Sequence, residues 1–283
     1  MDLWFTEEDS NAIRYGYKIK DVLFEGQSEF QKIVVLETEA YGKMLLIDGC
    51  VMLTEQDEFV YHEMISHIPA CLHKDPKRVV VIGGGDGGTV RELLKHPGIE
   101  EIVLCEIDAM VVDECKKFFP GVACGLDDPR VKVKIGDGIA YMAEQTNSVD
   151  IAIIDSTDPI GPGEGLFTKA FYSSVAKALR PGGLMVAQSE SPWYPPAILN
   201  RIHHNIGGGF ENIMPYMGAV PTYPRGLWSW TLASNDKLNL KNFDETRFSE
   251  ISQNLKYLTL GGVHGAFSLP PFYAAKLEKK PNL

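Results

Sequence analysis

The feature that most constrains this chain is the stretch VVVIGGGDGGTVRELL at residues 79–94, where an apolar strand runs into a glycine-rich turn before a helix. Glycines in such a turn let a ligand approach the main chain and the N-terminus of the helix. Gly83, Gly85 and Gly88 have the spacing of a dinucleotide-binding turn. Asp86 is unusual there, because its carboxylate would repel phosphate. The turn therefore predicts a nucleotide site whose ligand is cationic near Asp86.

Charge and composition narrow the class of protein. The 283 residues carry a formal net charge of −11, which argues against a nucleic-acid or anionic-membrane partner and favours cationic substrates. The five cysteines are odd in number and form no CxxC pair, so neither a disulfide framework nor a zinc ribbon is indicated. The N-terminal residues lack a signal-peptide pattern and no segment has transmembrane length, which predicts a cytoplasmic protein.

The pattern of segments changes near residue 75. Residues 1–75 contain short strand-like segments separated by turn residues, then a helical segment, and they predict a small antiparallel β domain. From residue 76 to residue 283 strands and helices alternate, which is typical of an α/β, doubly wound parallel sheet with its site at the carboxyl ends of the strands. The segments ENIMPYMGAV and WSWTLASN are expected to add two further strands.

Acidic residues follow the first four strands of this predicted sheet: Asp86, Glu106, Asp137 and Asp155. Because the carboxyl ends of parallel strands share one edge, we expect these carboxylates to meet there. Glu106 follows Gly88 at the distance that places a carboxylate on ribose hydroxyls, which fits NAD as well as a sulfonium nucleoside.

Two of these segments have structural alternatives. Asp137, followed by Gly138, is expected beside an adenine, and it is also a good N-cap for the next helix. Asp155 and Asp158 lie in the loop DSTDPIGPGEGLF, where they are placed to bind or deprotonate an amine or, alternatively, only to form a turn.

Other polar and aromatic residues carry weaker signals. HEMISH at residues 62–67 lacks the two histidines four apart of a zinc protease, and no metal site is predicted. Trp228 is expected to line a pocket more than Trp230, and His203 and His204 are expected at the surface.

The segments GGGDGGTVRE, CEID, GDG and DSTDPIGP, with YHEM upstream and PTYPRG and VHGAFSLP downstream, together resemble the spermidine synthase family of polyamine aminopropyltransferases. The resemblance runs essentially from end to end. It implies a Rossmann-like, class I methyltransferase-type domain. It also implies transfer of the aminopropyl group of decarboxylated S-adenosylmethionine to putrescine, which gives spermidine and S-methyl-5'-thioadenosine.

The resemblance also implies roles for individual residues. Asp155 is the proton acceptor, Tyr61 orients the attacking amine, and Asp86 binds the aminopropyl ammonium. The residues implied for the nucleoside are Gln31, Asp86, Glu106, Asp137, Gly138 and Pro162. Those implied for the amine are His62, Asp86, Asp155, Asp158, Gln188, Tyr223 and Trp228. No cofactor is implied, since the sulfonium nucleoside is a co-substrate, and a homodimer or homotetramer formed through the N-terminal strands is expected.

Several functional alternatives stay open at this point. The acceptor is putrescine, cadaverine, agmatine or spermidine, or the enzyme is a putrescine N-methyltransferase on the same fold. The glycine spacing and Glu106 also permit an NAD-linked oxidoreductase, and a non-catalytic polyamine-binding protein is a third class. Intact S-adenosylmethionine carries a carboxylate that Asp86 would repel by about 1 kcal/mol in water and about 4 kcal/mol at an intermediate dielectric, which disfavours a methyltransferase.

Overall fold

A computed structural model of the chain describes residues 3–158 and 161–277. The first five strands form an antiparallel sheet in chain order: β1 (Leu3–Ser10), β2 (Ile13–Gln27), β3 (Lys32–Thr38), β4 (Lys43–Ile47) and β5 (Cys50–Thr54). The antiparallel β structure predicted for this part of the chain is confirmed. The inward face of β1 carries Glu7, whose 4% exposure shows a buried acid where strand patterns have an apolar residue.

The second sheet has seven strands in the order β11-β12-β10-β9-β6-β7-β8. Strands β6 to β10 pair in parallel, whereas β12 is antiparallel to both β10 and β11. The strands are β6 (Arg78–Gly83), β7 (Glu101–Glu106), β8 (Val131–Ile135), β9 (Val149–Asp155), β10 (Leu179–Gln188), β11 (Asn212–Gly218) and β12 (Trp228–Ser234). The predicted doubly wound sheet and its two added strands are confirmed.

The helices cover both faces of this sheet and leave its carboxyl edge for a site. They are α1 (Glu58–Leu72), α2 (Gly88–Leu93), α3 (Ala109–Phe118), α4 (Gly138–Glu144), α5 (Lys169–Ala178), α6 (Pro196–Gly209), α7 (Glu245–Ser252), α8 (Leu260–Ala266) and α9 (Pro271–Ala274). A short 3-10 helix at Gly161–Phe167 follows β9. Within the described ranges, none of the helices combines the length and the apolar character needed to cross a membrane.

Helix α1 connects the two sheets. It lies inside the predicted first domain of residues 1–75, yet its apolar side chains Met64, Ile65 and Ile68 belong to the same buried cluster as β6 and β12. The division at residue 75 stays a proposal. The packing of α1 brings Tyr61 and His62 to the edge of the second sheet, where the acidic strand ends collect.

Candidate active site

The acidic strand ends line one cleft. A wide chamber lies at the carboxyl ends of β6 to β9, and it is lined by predicted residues: Gln31, Tyr61, His62, Asp86, Glu106, Asp137, Gly138, Asp155 and Tyr223. A narrow chamber adjoins it and is lined by Tyr61, Asp158, Gln188, Tyr223 and Trp228, among others. Tyr61 and Tyr223 line both chambers, so the two spaces meet at these rings.

Asp155 lies on the wide chamber, close to this junction. Its Oδ1 accepts a hydrogen bond from the Tyr61 hydroxyl at 2.8 Å, and its Oδ2 accepts one from Thr89 Oγ1 at 2.6 Å. Gly84 has a φ of +65°, and a Cβ there would lie 2.7 Å from Asp155 Oδ2, so only glycine lets the turn approach this carboxylate. Burial and the neighbouring Asp86 raise the pKa of Asp155. The carboxylate is therefore rigidly held and more basic than an ordinary aspartate.

Asp86 faces the same space with the opposite electrostatic balance. Its Oδ1 accepts the backbone N–H of Gly88 at 2.7 Å and lies 3.2 Å from Nε2 of His62. Burial acts to raise the pKa of Asp86, but His62 and the Gly88 amide outweigh it, and the pKa is lowered. Of the two carboxylates at this site, Asp86 thus favours the ionised form, whereas Asp155 binds a proton more readily.

The far side of the wide chamber carries Glu106 and Asp137. The Glu106 carboxylate accepts the backbone N–H of Gly85 at 3.2 Å and of Asp108 at 3.0 Å, and burial raises its pKa to about 7. Asp137 accepts the N–H of Ile139 at 2.7 Å as the N-cap of α4, so its structural alternative is confirmed. Glu106 and the exposed Asp137 thus lie along one wall, where both can accept hydrogen bonds from the hydroxyl and amino groups of a nucleoside.

Gln31 reaches this wall from the first sheet. Its Nε2 donates to Asp108 Oδ2 at 3.1 Å, which fixes the amide beside the N-terminus of α3. Gly138, the first residue of α4, is buried against Ile82, where a Cβ would lie 2.4 Å from a methyl carbon. The side chain of Pro162 lies outside the described part of the structure.

The narrow chamber combines aromatic walls with acids. The rings of Tyr223 and Trp228 meet edge to face with centroids 4.8 Å apart, and Tyr223 donates its hydroxyl to the Met52 carbonyl at 2.8 Å. Gln188 Nε2 lies 3.4 Å from the carbonyl oxygen of Thr157 and anchors the loop that carries Asp158. Trp230, by contrast, is fully buried and stacks on Tyr216 outside this chamber.

Two further acids lie at this end of the cleft, Glu7 from β1 and Glu190 after β10. Glu7 lines the narrow chamber, and burial and then the charges of Asp158 and Asp9 raise its pKa to about 7. Burial and the neighbouring Asp158 raise the pKa of Glu190 well above its usual value. Three acids near one another, without a cation among the described residues of the chamber, form a place for a positively charged group.

Family models cover both parts of the chain. The spermine/spermidine synthase domain matches residues 58–244, and the spermidine synthase tetramerisation domain matches residues 3–55. This chain belongs to the spermine/spermidine synthase family. The predictions of the family and of an enzyme of the transferase class are confirmed, and the NAD-linked alternative is set aside.

Individual relatives support the same assignment. A polyamine aminopropyltransferase of Bacillus mycoides is 44% identical over 272 residues, which cover 96% of this chain and 98% of the relative. One from Bacillus subtilis is 42% identical over 271 residues, covering 96% and 97%. A crystal structure of spermidine synthase with the transition-state analogue AdoDATO has a TM-score of 0.94 at 39% identity, covering 97% of this chain and 94% of that one. The spermidine synthase of Thermotoga maritima has a TM-score of 0.91 at 37% identity, with the same coverage.

The structure corrects one expectation and adds residues to this family site. His203 is 7% exposed and contacts Thr231 Oγ1 through Nε2 at 3.0 Å, so its assignment to the surface was wrong. Because the neighbouring residues in the sequence are polar, the sequence did not indicate that this face of α6 packs on β12. Three residues of the site were not predicted from the sequence: Thr89, Glu7 and Glu190. Thr89 directly follows the glycine turn, which was an available signal, whereas the other two come from distant segments.

In the ranges that the structure describes, no group of three or more His, Cys, Asp or Glu residues is placed to hold a metal ion. His62 faces Asp86, and His67 faces Glu92 and His96.

Proposed function

We propose that this protein transfers the aminopropyl group of decarboxylated S-adenosylmethionine to putrescine, giving spermidine and S-methyl-5'-thioadenosine. The observation that carries the proposal is Asp155, a basic carboxylate held by Tyr61 and Thr89 near the junction of a wide and a narrow chamber. The nucleoside would occupy the wide chamber and the amine the narrow one. The relatives' name, polyamine aminopropyltransferase, supports the same chemistry.

The nucleoside would be held by the residues of the wide chamber. Glu106 would accept the ribose hydroxyls, and Asp137 with Gly138 would lie at the base. Gln31 would close the wall, and Asp86 would bind the aminopropyl ammonium. Ribose donors favour ionised Glu106, whose pKa is about 7 in the free protein, so nucleoside binding should release a proton near neutral pH.

The amine must lose a proton to react. An alkylammonium with a pKa of about 10.4 costs about 4.6 kcal/mol to deprotonate at pH 7, so an acceptor near the nitrogen is needed. Asp155 would take this proton while Tyr61 orients the nitrogen. The nitrogen lone pair forms a bond to the aminopropyl methylene carbon attached to sulfur, and the bond between that carbon and sulfur breaks. Its electron pair neutralises the sulfonium, so the step requires no redox cofactor.

The second ammonium of the diamine would lie among the acids of the narrow chamber. Asp158 lines it with Glu7, and Glu190 adjoins Asp158. The rings of Tyr223 and Trp228 would pack on the methylene chain between the two nitrogens. Putrescine is the acceptor we expect, and His62 and Gln188 would shape the site from its sides.

The test is product analysis by mass spectrometry. Purified protein is incubated with decarboxylated or intact S-adenosylmethionine and with putrescine, cadaverine, agmatine or spermidine. We expect methylthioadenosine and spermidine foremost from the decarboxylated donor with putrescine. A preference for another amine would keep the chemistry and change the substrate. Transfer of a methyl group from the intact donor would contradict the proposal.

We also propose that the protein forms a homodimer or homotetramer through its first sheet. Residues 3–55 match the tetramerisation domain, and this sheet exposes large apolar side chains: Leu3, Trp4, Ile13 and Val22, at 49%, 58%, 36% and 46%. Exposed apolar groups of this size are typical of interfaces. A monomeric mass in light scattering would refute the assembly. The cytoplasmic location stays a prediction.

A further inference from the structure

A buried chain of charged groups supports Asp86 from behind. His62 Nδ1 lies 2.6 Å from Glu58 Oε2, and His62 Nε2 lies 3.2 Å from Asp86 Oδ1. Arg91 of α2 donates to both oxygens of Glu58, at 2.9 and 2.8 Å. Glu58 is 6% exposed and His62 3%, so the contacts are shielded from solvent.

Hydrogen-bond counting fixes the charge of the imidazole. Each ring nitrogen of His62 faces a carboxylate oxygen, and a carboxylate only accepts hydrogen bonds. A neutral ring has one N–H, so its other nitrogen would direct a lone pair at a carboxylate. Only the imidazolium satisfies both contacts. Burial acts to lower the pKa of His62, but Asp86 and Glu58 outweigh it and raise the pKa to about 10.

The backbone leaves the ring little freedom to move. A Cβ at Gly88 would lie 2.2 Å from His62 Cε1, so the imidazole packs directly on the first turn of α2. Glu58 and His62 are one helical turn apart on α1, which places them on the same face. The last glycine of the glycine-rich turn is thus explained by the histidine as well as by the ligand.

We propose that Glu58 is a positioning residue which, held by Arg91, keeps His62 as an imidazolium and thereby keeps Asp86 ionised while Asp155 is free to accept a proton. This inference rests on the proposed function, because the division of roles matters only if a cation binds Asp86 and an amine gives its proton to Asp155. Glu58 acts through His62 and does not line either chamber.

The groups that face these side chains define the pH behaviour. Around His62 and Asp155 the charged and titratable neighbours are Glu58 and Tyr61 from α1, Asp86 from the glycine turn, and Tyr223 before β12. Arg91 on α2 faces Glu58 and, on its other side, Glu92. The imidazolium is the positive group among these that acts on Asp155 directly, and its charge opposes the upward effect of Asp86.

The sign of the effect follows from these charges. Asp155 must be ionised to accept a proton, so activity falls as pH falls through its pKa. Replacing Glu58 with glutamine removes one of the two carboxylates that hold the proton on His62, so that burial lowers the pKa of the ring towards neutral pH and the ring loses its charge there. Without the nearby cation the pKa of Asp155 rises further. The acid limb of the rate profile should therefore move up by about one to two pH units.

The experiment compares Glu58→Gln with the wild type in two measurements. The first is kcat/KM for the amine from pH 5 to pH 9. The second is the ¹⁵N chemical shifts of His62 in the ligand-free protein, which report the charge of the ring without turnover. We expect both nitrogens of wild-type His62 to stay protonated to above pH 8, and in Glu58→Gln to titrate between pH 5 and pH 8.

Two further variants separate positioning from folding. Glu58→Asp keeps the charge and should restore the wild-type pH profile at a lower rate. Glu63→Gln removes a buried carboxylate from the same helix, where it accepts the backbone N–H groups of residues 256–258. It should lower thermal stability and leave the profile unmoved. A wild-type profile in folded Glu58→Gln, or a neutral His62 in the wild type, would overturn the inference. Absence of transfer by the wild type would contradict the proposed function, and the shifts would still decide the charge of His62.

Discussion

The wide chamber takes its acidic groups from the ends of consecutive strands, whereas the narrow chamber takes them from segments that are far apart in the chain. Glu106 and Asp137 follow β7 and β8, and their acceptor groups are fixed by backbone N–H donors nearby. Glu7, Asp158 and Glu190 come from β1, the loop after β9 and the segment after β10. The acids of the wide chamber meet because of the topology of the second sheet, whereas those of the narrow chamber meet only when the first sheet packs against it.

The two chambers also differ in the cation that lies beside their acids. In the wide chamber, Asp86 has a cationic partner in His62 and its pKa is lowered, whereas burial raises the pKa of Asp155 and of Glu106. In the narrow chamber burial raises the pKa of Glu7 and Asp158, as it does for the adjoining Glu190, and the described residues that line the chamber supply no cation. A chamber of this second kind gains its full negative charge only when a cation enters, which favours a ligand that brings its own positive charge.

The largest effect is expected where the chambers meet. Asp155→Asn removes the proton acceptor, and we expect kcat to fall about a thousandfold while methylthioadenosine affinity changes little. Asp150→Asn is the matched control, because Asp150 lies on the same strand but pairs with Arg180 at its other end. Timed assays of product formation measure kcat, and calorimetry measures the affinity for methylthioadenosine. A loss of less than tenfold in Asp155→Asn would show that another group takes the proton.

Glu106→Gln tests the wide chamber alone. It replaces a charged acceptor of the ribose hydroxyls with an amide, and we expect nucleoside affinity to fall about ten- to a hundredfold with the KM for the amine unchanged. Calorimetry in buffers of different ionisation enthalpy should also show that the proton release of the wild type is lost. If both substrates weaken equally, the chambers are not separate.

Asp158→Asn tests the narrow chamber alone. Removal of one carboxylate should raise the KM for putrescine about tenfold, because the distal ammonium loses part of its attraction. Butylamine, which lacks that ammonium, serves as the internal control and should be affected less. Equal effects on both amines would place the diamine elsewhere.

The smallest effect on catalysis is expected from a site outside both chambers. His96 is buried beside His67 at 2.9 Å, and burial followed by the charge of His67 lowers its pKa to about 3. Because the unfolded chain binds this proton first, the free energy of unfolding of the protein falls as pH falls from 6.5 towards 3. At pH 5 this fall should be about 2 kcal/mol, and His96→Gln should abolish it while leaving activity at pH 8 unchanged. Denaturant unfolding at both pH values measures it.

The contrast between the chambers also explains what the sequence predicts. Alternating strands and helices place Asp86, Glu106, Asp137 and Asp155 at one edge, because topology alone brings parallel strand ends together. Glu7 was out of reach, since a buried acid on β1 interrupts the apolar alternation that identifies strands. Glu190 was equally hidden, because its position near Asp158 depends on a left-handed backbone with φ of 68° after β10.

Residue roles inside the cleft show the same limit. The family resemblance implied a role for Tyr61 and a role for Asp155, but their hydrogen bond, which spans 94 positions in the chain, appears only in the structure. The partnership of Glu58 with His62 is local, four residues apart on α1, but its meaning appears only when the glycine turn brings Asp86 to the other side of the ring.

The most direct test is the discrimination between decarboxylated and intact S-adenosylmethionine. Inhibition or binding constants for both are measured in the wild type and in Asp86→Asn. An ionised Asp86 near the aminopropyl group predicts that the wild type prefers the decarboxylated form by up to about a thousandfold, and that Asp86→Asn loses most of this preference. Equal affinity for both nucleosides in the wild type would contradict the placement of a cation at Asp86.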